Sequence, residues 1–306
     1  MEKERYIHAQ ITSGLSGRRD QSRALFDLSY ENAIFEKAGL EAYTDYQREH
    51  EHDVLKPGTG FPLVRSLLTL NDLEPKRKRV EVVILSHNSV ETGLRIFHSI
   101  AHYQLDISRA AFCGDHDLFP YLRAFSIDLF LSAEESDVQE AIRHHYAAGL
   151  IYPSVSNEYE ALPIRIAFDG DAVLFSDEAE QIYQKEGLDA FVHHEVENAA
   201  KPLPQGPFAH FLQAIAQLQE EFKGREAPII TALVTARNAP AHERVVSTFR
   251  AWHVTVDQSF FLGGLSKQPI LAAFRPHIFF DDQQVHGEAA SAFVPSARVA
   301  YPKRES

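Results

Sequence analysis

The sequence predicts an α/β protein built of tandem duplicated Rossmann-like units, each a parallel sheet flanked by helices, with small helical cap inserts. The chain matches itself: with Ser86 set opposite Thr235, an offset of 149 residues, two stretches stay in step without a gap as far as Ser132 opposite Asp281. Along that run Arg95 faces Arg244, Phe112 faces Phe261, Gly114 faces Gly263, Pro120 faces Pro269 and Phe130 faces Phe279. A repeat is read before any motif, because it decides what each motif means. Each copy also alternates strand-type and helix-type patterns, the order of a parallel sheet with helices on its faces. Finally, 306 residues with 44% hydrophobic and 24% charged side chains suffice for about two cores.

Element by element, the apolar runs Val80–Leu85 and Ile229–Val234 read as buried strands. Apolar residues at helical spacing follow each, Leu94, Phe97, Ile100 and Ala101 in one copy and Val245, Phe249 and Trp252 in the other. Next come a short strand (Ala110–Cys113; Ser259–Leu262), a helix around Tyr121–Phe125 or Ile270–Phe274, and a further strand (Asp128–Leu131; His277–Phe280). Upstream the match is less regular: Ala24–Asp27 resembles Ile166–Asp169, and Lys56-Pro57 resembles Lys201-Pro202. In the second copy an insert over roughly 177–225 carries helical patterns, and Phe208, Phe211, Leu212, Ile215, Leu218 and Phe222 form an amphipathic face there. The Pro-, Ser- and Asn-containing stretch Gly149–Pro163 is the best linker, so the expected units are 1–150 and 151–306.

Charge narrows the function classes. With 30 Lys+Arg against 43 Asp+Glu, the net charge of −13 lacks the basic footprint of a nucleic-acid binder. The lone cysteine, Cys113, cannot form an intrachain disulfide and fits a reducing compartment. Met1–Arg19 has no apolar targeting core and no apolar run is long enough to span a bilayer, so the expectation is a cytoplasmic protein with no membrane partner.

Four acidic side chains in the second copy fall just beyond strand ends, where parallel sheets place their chemistry: Asp169 and Asp171 after Ile164–Phe168, Asp281 and Asp282 after His277–Phe280. Thr235 ends a third strand, and the loop after a fourth leads through Gly263-Gly264 to Lys267. Crowded carboxylates either share protons or gather a hard cation, and Mg²⁺ takes one or two carboxylates together with waters and a substrate phosphate. The Thr235 hydroxyl, Lys267 and loop N–H groups then suit a phosphate dianion. One Asp can attack phosphorus while a second moves the proton, and Asp169 and Asp171 fit that pair.

Phe168-Asp169-Gly170-Asp171, Thr235, Lys267 and Phe279-Phe280-Asp281-Asp282 resemble the four signature motifs of haloacid-dehalogenase-like phosphatases. More specifically, Arg165–Glu178, Lys201–Pro207, Leu233–Arg237 and Arg275–Gln283 look like the cytosolic 5′-nucleotidase type I family. The resemblance implies a Mg²⁺-dependent hydrolase of nucleoside 5′-monophosphates, AMP and its relatives, acting through an aspartyl-phosphate. It makes Asp169 the nucleophile and a metal ligand. Asp171 becomes the general acid/base, its main-chain carbonyl also reaching the metal. Thr235 and Lys267 hold the phosphoryl oxygens, and Asp281, with Asp282 as ligand or as its neighbour, completes the metal site. Arg237, Asn238 and Lys201 are the candidates for contact with base or ribose, and Asn238-Ala239-Pro240 departs from the commoner family pattern. The family also leans toward a homo-oligomer.

The first copy contrasts with this. Asp27 stands opposite Asp169 in the upstream match, but Ser29, Ser86, Leu118 and Ser132-Ala133 stand opposite Asp171, Thr235, Lys267 and Asp281-Asp282, so this half is expected to be non-catalytic. Two other readings fit the same residues: a phosphatase for another small phosphomonoester, since the motifs read the phosphoryl group, and a nucleotide-sensing protein with residual hydrolysis. The histidines of Glu49–Asp53 read as a solvated helix face, and Phe208, Phe211 and Trp252 as core.

Overall fold

The computed structural model describes residues 7–12, 24–114, 116–154 and 159–301. Along the first half run β1 (Ile7–Thr12), β2 (Phe26–Asp27), α1 (Ser29–Glu49), β3 (Lys56–Pro57), α2 (Phe61–Thr69), β4 (Val80–Ser86), α3 (Val90–His102), β5 (Arg109–Phe112), α4 (Phe119–Ala124), β6 (Leu129–Ser132), α5 (Glu135–Arg143) and β7 (Ala147–Ile151). The second half continues with β8 (Ile164–Phe168), a π-type turn (Gly170–Leu174), α6 (Glu178–Glu186), α7 (Leu188–Glu197), α8 (Ala209–Glu221), β9 (Ile229–Thr235), α9 (His242–Trp252), β10 (Gln258–Phe261), α10 (Gln268–Phe274), β11 (Ile278–Asp281), α11 (Gln284–Ser291) and β12 (Ser296–Arg298).

Ten strands form one sheet in the order β10-β9-β8-β11-β12-β7-β6-β1-β4-β5. Every neighbouring pair is parallel except β12–β7, which is antiparallel through Ala297–Ile151 and Arg298–Leu150. Order and direction therefore both reverse at this seam. Strands β4, β6, β7 and β11 are buried at every residue, and their sequences are mostly apolar, with Glu81 of β4 the one charge before the strand ends. The edge strands β5 and β10 have no buried residue. One cluster of buried apolar side chains runs through both halves, from Ile7 and Val82 to Phe168 and Phe280. A smaller cluster of Ala167, Val234, Leu271, Phe279 and Val294 forms a second layer in the second half.

Strand register corrects the upstream match. The strand that pairs with β4 and β6 as β8 pairs with β9 and β11 is β1: Ala9 faces Val82 and Leu129, as Ile166 faces Thr231 and Ile278. Ala24–Asp27 is not that strand. Its Phe26-Asp27 pairs antiparallel with Lys56-Pro57, in the manner of the bridge between Phe175 and Gln205 in the second half. Asp27 is thus not the counterpart of Asp169, and the β1 residue at that register position is Thr12, opposite Leu85. The expected linker also starts later, since Gly149–Ile151 belongs to β7; Ser156 and Asn157 lie outside the described residues, as does most of Met1–Arg19.

The insert over roughly 177–225 divides in two. α6 and α7 bury only Ala179 and Glu195. α8 belongs to the core: Phe208 lies 4.4 Å from the Phe280 ring and Phe211 lies 6.3 Å from Phe168. Trp252 packs 5.8 Å from Phe175, in the packing role expected for it.

Candidate active site

The buried strand β8 delivers Asp169 to the rim of the sheet, where the chain leaves the strand and folds into a tight turn. Asp169 Oδ1 accepts the Gly170 amide at 2.7 Å, and Phe175 N returns to Gly170 O at 2.9 Å. A Cβ at Gly170 would stand 3.1 Å from the Thr235 hydroxyl, so a small residue here brings the end of β9 against the turn. Closing the turn requires Gly206: a Cβ there would lie 2.3 Å from the Phe175 carbonyl oxygen, and Gly206 N donates to Leu174 O at 2.8 Å. The Lys201–Pro207 segment is therefore packed on the turn.

Lys267, at the head of α10, joins the strand ends electrostatically. Its Nζ lies 2.6 Å from Asp281 Oδ2 and 2.9 Å from Asp169 Oδ2, with the lysine and both carboxylates buried. Burial opposes the lysine's charge, but the two carboxylates outweigh it and raise its pKa. Asp281 Oδ1 accepts the Gln283 amide at 2.9 Å, and His286 stands 3.5 Å from Oδ2; these and Lys267 hold the carboxyl below its ordinary value despite burial. Burial pushes Asp169 up to about 7, opposed by Lys267. Asp282 is pushed up to about 8, by burial and then by Asp169 and Asp281.

Asp169, Asp281 and Asp282 each offer an oxygen within 4.8 Å of the others, the one such acidic or histidine group among the described residues. Three hard oxygen donors, two of them disfavoured as free anions, fit a divalent cation. The histidines of Glu49–Asp53 do not join any such group.

Asp171 projects elsewhere. Its Oδ2 accepts from Arg237 Nε at 2.8 Å and its Oδ1 from Arg237 Nη2 at 2.7 Å. Arg237 is buried, lies 5.8 and 5.5 Å from the Phe175 and Phe191 rings, and donates Nη1 to Glu195 Oε2. The other oxygen of Glu195 accepts from Arg244 Nη1 at 2.7 Å, and Arg244 Nε donates to Lys201 O at 3.0 Å. Burial works against the Arg237 charge, yet Asp171 and Glu195 raise its pKa further. Of the three residues expected near base or ribose, Arg237 is thus enclosed between carboxylates. Lys201 is exposed, with its Nζ 3.0 Å from Asn198 Oδ1. Asn238 lies against Gly263, whose Cβ position is 3.4 Å away, on the loop beside the site.

Sequence reasoning missed Glu195 and Arg244. Arg244 carried a signal, since it matches Arg95 in the repeat; Glu195 carried none, being one of three acids on its helix.

The profile of the 5′-nucleotidase family matches residues 19–306. Cytosolic 5′-nucleotidase 1B of Homo sapiens is 38% identical over 296 residues, 93% of this chain and 48% of the human protein. The chain therefore spans about half the length of that curated relative. No solved structure gives a significant match.

Proposed function

The chain belongs to the 5′-nucleotidase family, and from that premise we propose that its second half hydrolyses nucleoside 5′-monophosphates, AMP-like in type, with Mg²⁺ as cofactor. The observation that carries this reading is the convergence of Asp169, Lys267, Asp281 and Asp282 at adjoining strand ends, with the Thr235 hydroxyl beside the Asp169 turn. Asp169, Asp281 and Asp282 would hold the ion, with the Asp171 carbonyl as the further ligand that the family resemblance suggests. When bound, Mg²⁺ supplies a charge that draws in the phosphate and offsets its negative oxygens.

The residues of the chain then divide the work. Lys267 and Thr235 hold the nonbridging phosphoryl oxygens, Lys267 stabilising charge as it spreads in the transition state. An Asp169 oxygen bonds to phosphorus as the bond from phosphorus to O5′ breaks, and Asp171, once one of its oxygens turns from Arg237 and takes a proton from solvent, gives that proton to O5′. Water then attacks the aspartyl-phosphate, its proton passes to Asp171, and phosphate leaves Asp169 free. Nucleotide and water have become nucleoside and phosphate. The first half, with Ser86 and Ser132 at the ends of β4 and β6, is proposed to be non-catalytic.

The test is steady-state phosphate release from a panel of nucleoside monophosphates and sugar phosphates, with Mg²⁺ or with EDTA. The expected outcome is turnover of nucleotides above sugar phosphates, lost with EDTA and lowered by at least about a thousandfold in Asp169→Asn, since a covalent nucleophile has no substitute. Preference for sugar phosphates would instead support the alternative phosphatase reading. Tight nucleotide binding without metal-dependent release would support a sensor.

A further inference from the structure

The cap reaches the strand ends through one charged side chain. Glu195 is the buried residue of α7, with a fully enclosed carboxylate on an otherwise partly or wholly exposed helix. A charge in that position is retained at a desolvation cost unless its partners are fixed, and Glu195 divides its oxygens between two arginines. His194 Nδ1 stands 3.3 Å from the oxygen that faces Arg244.

The repeat separates the roles of the two arginines. In the first half Arg95, the match of Arg244, pairs with a different buried acid, Glu31 of the first turn of α1, at 2.6 Å, while Gln47, eight residues past the Gly39 break as Glu195 is past Gly187, accepts from Arg95 Nη1 at 3.3 Å; Arg95 Nε donates to Asp53 O at 2.8 Å, as Arg244 donates to Lys201 O. Both halves thus seat this arginine on a buried acid, drawn from different positions of the chain. The match of Arg237 is Asn88, which accepts from the Tyr43 hydroxyl at 3.2 Å. The planar fork that grips an aspartate accordingly stands in the half that holds the carboxylate cluster, while the other half keeps the seated arginine without it.

We propose that Glu195 is a positioning residue for proton transfer: seated on Arg244, it pins the Arg237 guanidinium, so the fork keeps its place when Asp171 turns one oxygen toward the leaving group. This rests on the reading of Asp171 as the acid/base. In the first step the bond from Asp169 to phosphorus forms, the bond from phosphorus to the leaving oxygen breaks, and the proton on Asp171 ends on that oxygen. A ribose O5′ is a strongly basic alkoxide and needs this proton, whereas p-nitrophenolate departs without it. Loss of positioning must therefore fall on one substrate class.

The experiment compares kcat/KM, which covers the steps through release of the first product, for AMP and for p-nitrophenyl phosphate. Wild type, Glu195→Gln, Glu195→Asp and Arg237→Lys are measured in Mg²⁺ after folding is checked by circular dichroism. In Glu195→Gln and Arg237→Lys, kcat/KM for AMP is expected to fall about tenfold or more while that for p-nitrophenyl phosphate stays within about threefold, with partial recovery in Glu195→Asp. Should Glu195→Gln not fold, Arg237→Lys, which keeps the charge and loses the fork, gives the same comparison. Equal falls for both substrates, or no fall for either, in a folded variant would overturn the inference. A wild-type protein that cleaves neither compound, or an Asp171→Asn variant that loses nothing on AMP, would instead overturn the underlying reading.

Discussion

At the scale of single residues, the site is a contest between burial and charge. Asp169, Thr235, Lys267 and Asp281 were legible because their types and order restrict the chemistry sharply, and the structure brings them to one rim. The enclosure of Glu195 was not legible, because one acid among three on a largely exposed helix does not announce burial. His277 is another such residue. Its Nδ1 accepts the Arg165 amide at 3.0 Å and its Nε2 donates to Glu160 O at 2.9 Å, which fixes the neutral ring. Burial lowers its pKa below the ordinary 6.5. The unfolded chain then takes up this proton first, so the contribution of His277 is complete above the ordinary value and is lost as pH falls through it toward the folded value. Thermal unfolding midpoints between pH 7.5 and 5 are expected to fall more steeply in wild type than in His277→Asn. Parallel profiles would contradict this.

At the scale of elements, the buried strands β4, β6 and β11 identified themselves, whereas β7, short and taken in part for linker, and β1 did not. Ile7, Ala9 and Ile11 alternate with His8, Gln10 and Thr12, a period-2 signal that the phrase Ala24–Asp27, resembling Ile166–Asp169, displaced. Wording in a sequence can be shared by segments that do not occupy the same place; register cannot. The Lys201–Pro207 segment makes the same point from the other side. It was a motif in the sequence, and the structure shows what one of its residues is for, since Gly206 lets two backbones touch where no Cβ fits. Gly206→Ala is expected to lower stability by about 1–3 kcal/mol, because the contact is with backbone and the turn must shift. Denaturant unfolding measures the loss. A parallel decrease in nucleotide turnover is expected, because the displaced turn carries Asp171.

For the whole molecule, repetition predicted two units, and the sheet shows how they meet. A self-match contains no information on relative placement, so the antiparallel β12–β7 seam could not be read from it. The seam is reinforced outside the sheet, with Arg77 2.8 Å and Arg79 3.2 Å from Glu221, Arg298 paired with Glu135, and the Thr59 hydroxyl donating to Tyr152 O at 2.8 Å. An apolar cluster common to both halves predicts that they unfold together. A divalent ion bound at the Asp169 rim should therefore raise the single unfolding midpoint of the entire chain. At a hundredfold excess over its dissociation constant the gain is about 2.7 kcal/mol. Calorimetry with Mg²⁺ and EDTA checks this, with Asp281→Asn expected to remove the shift.

The reversal at the seam has a geometric consequence. β4 and β6 finish at Ser86 and Ser132 on one long side of the sheet, whereas β8, β9 and β11 finish on the opposite side. The serine tips and the aspartate tips therefore face away from each other. A ligand held at Ser86 and Ser132 would sit across the sheet from one held at Asp169, and a signal between the two would have to pass through the strands themselves.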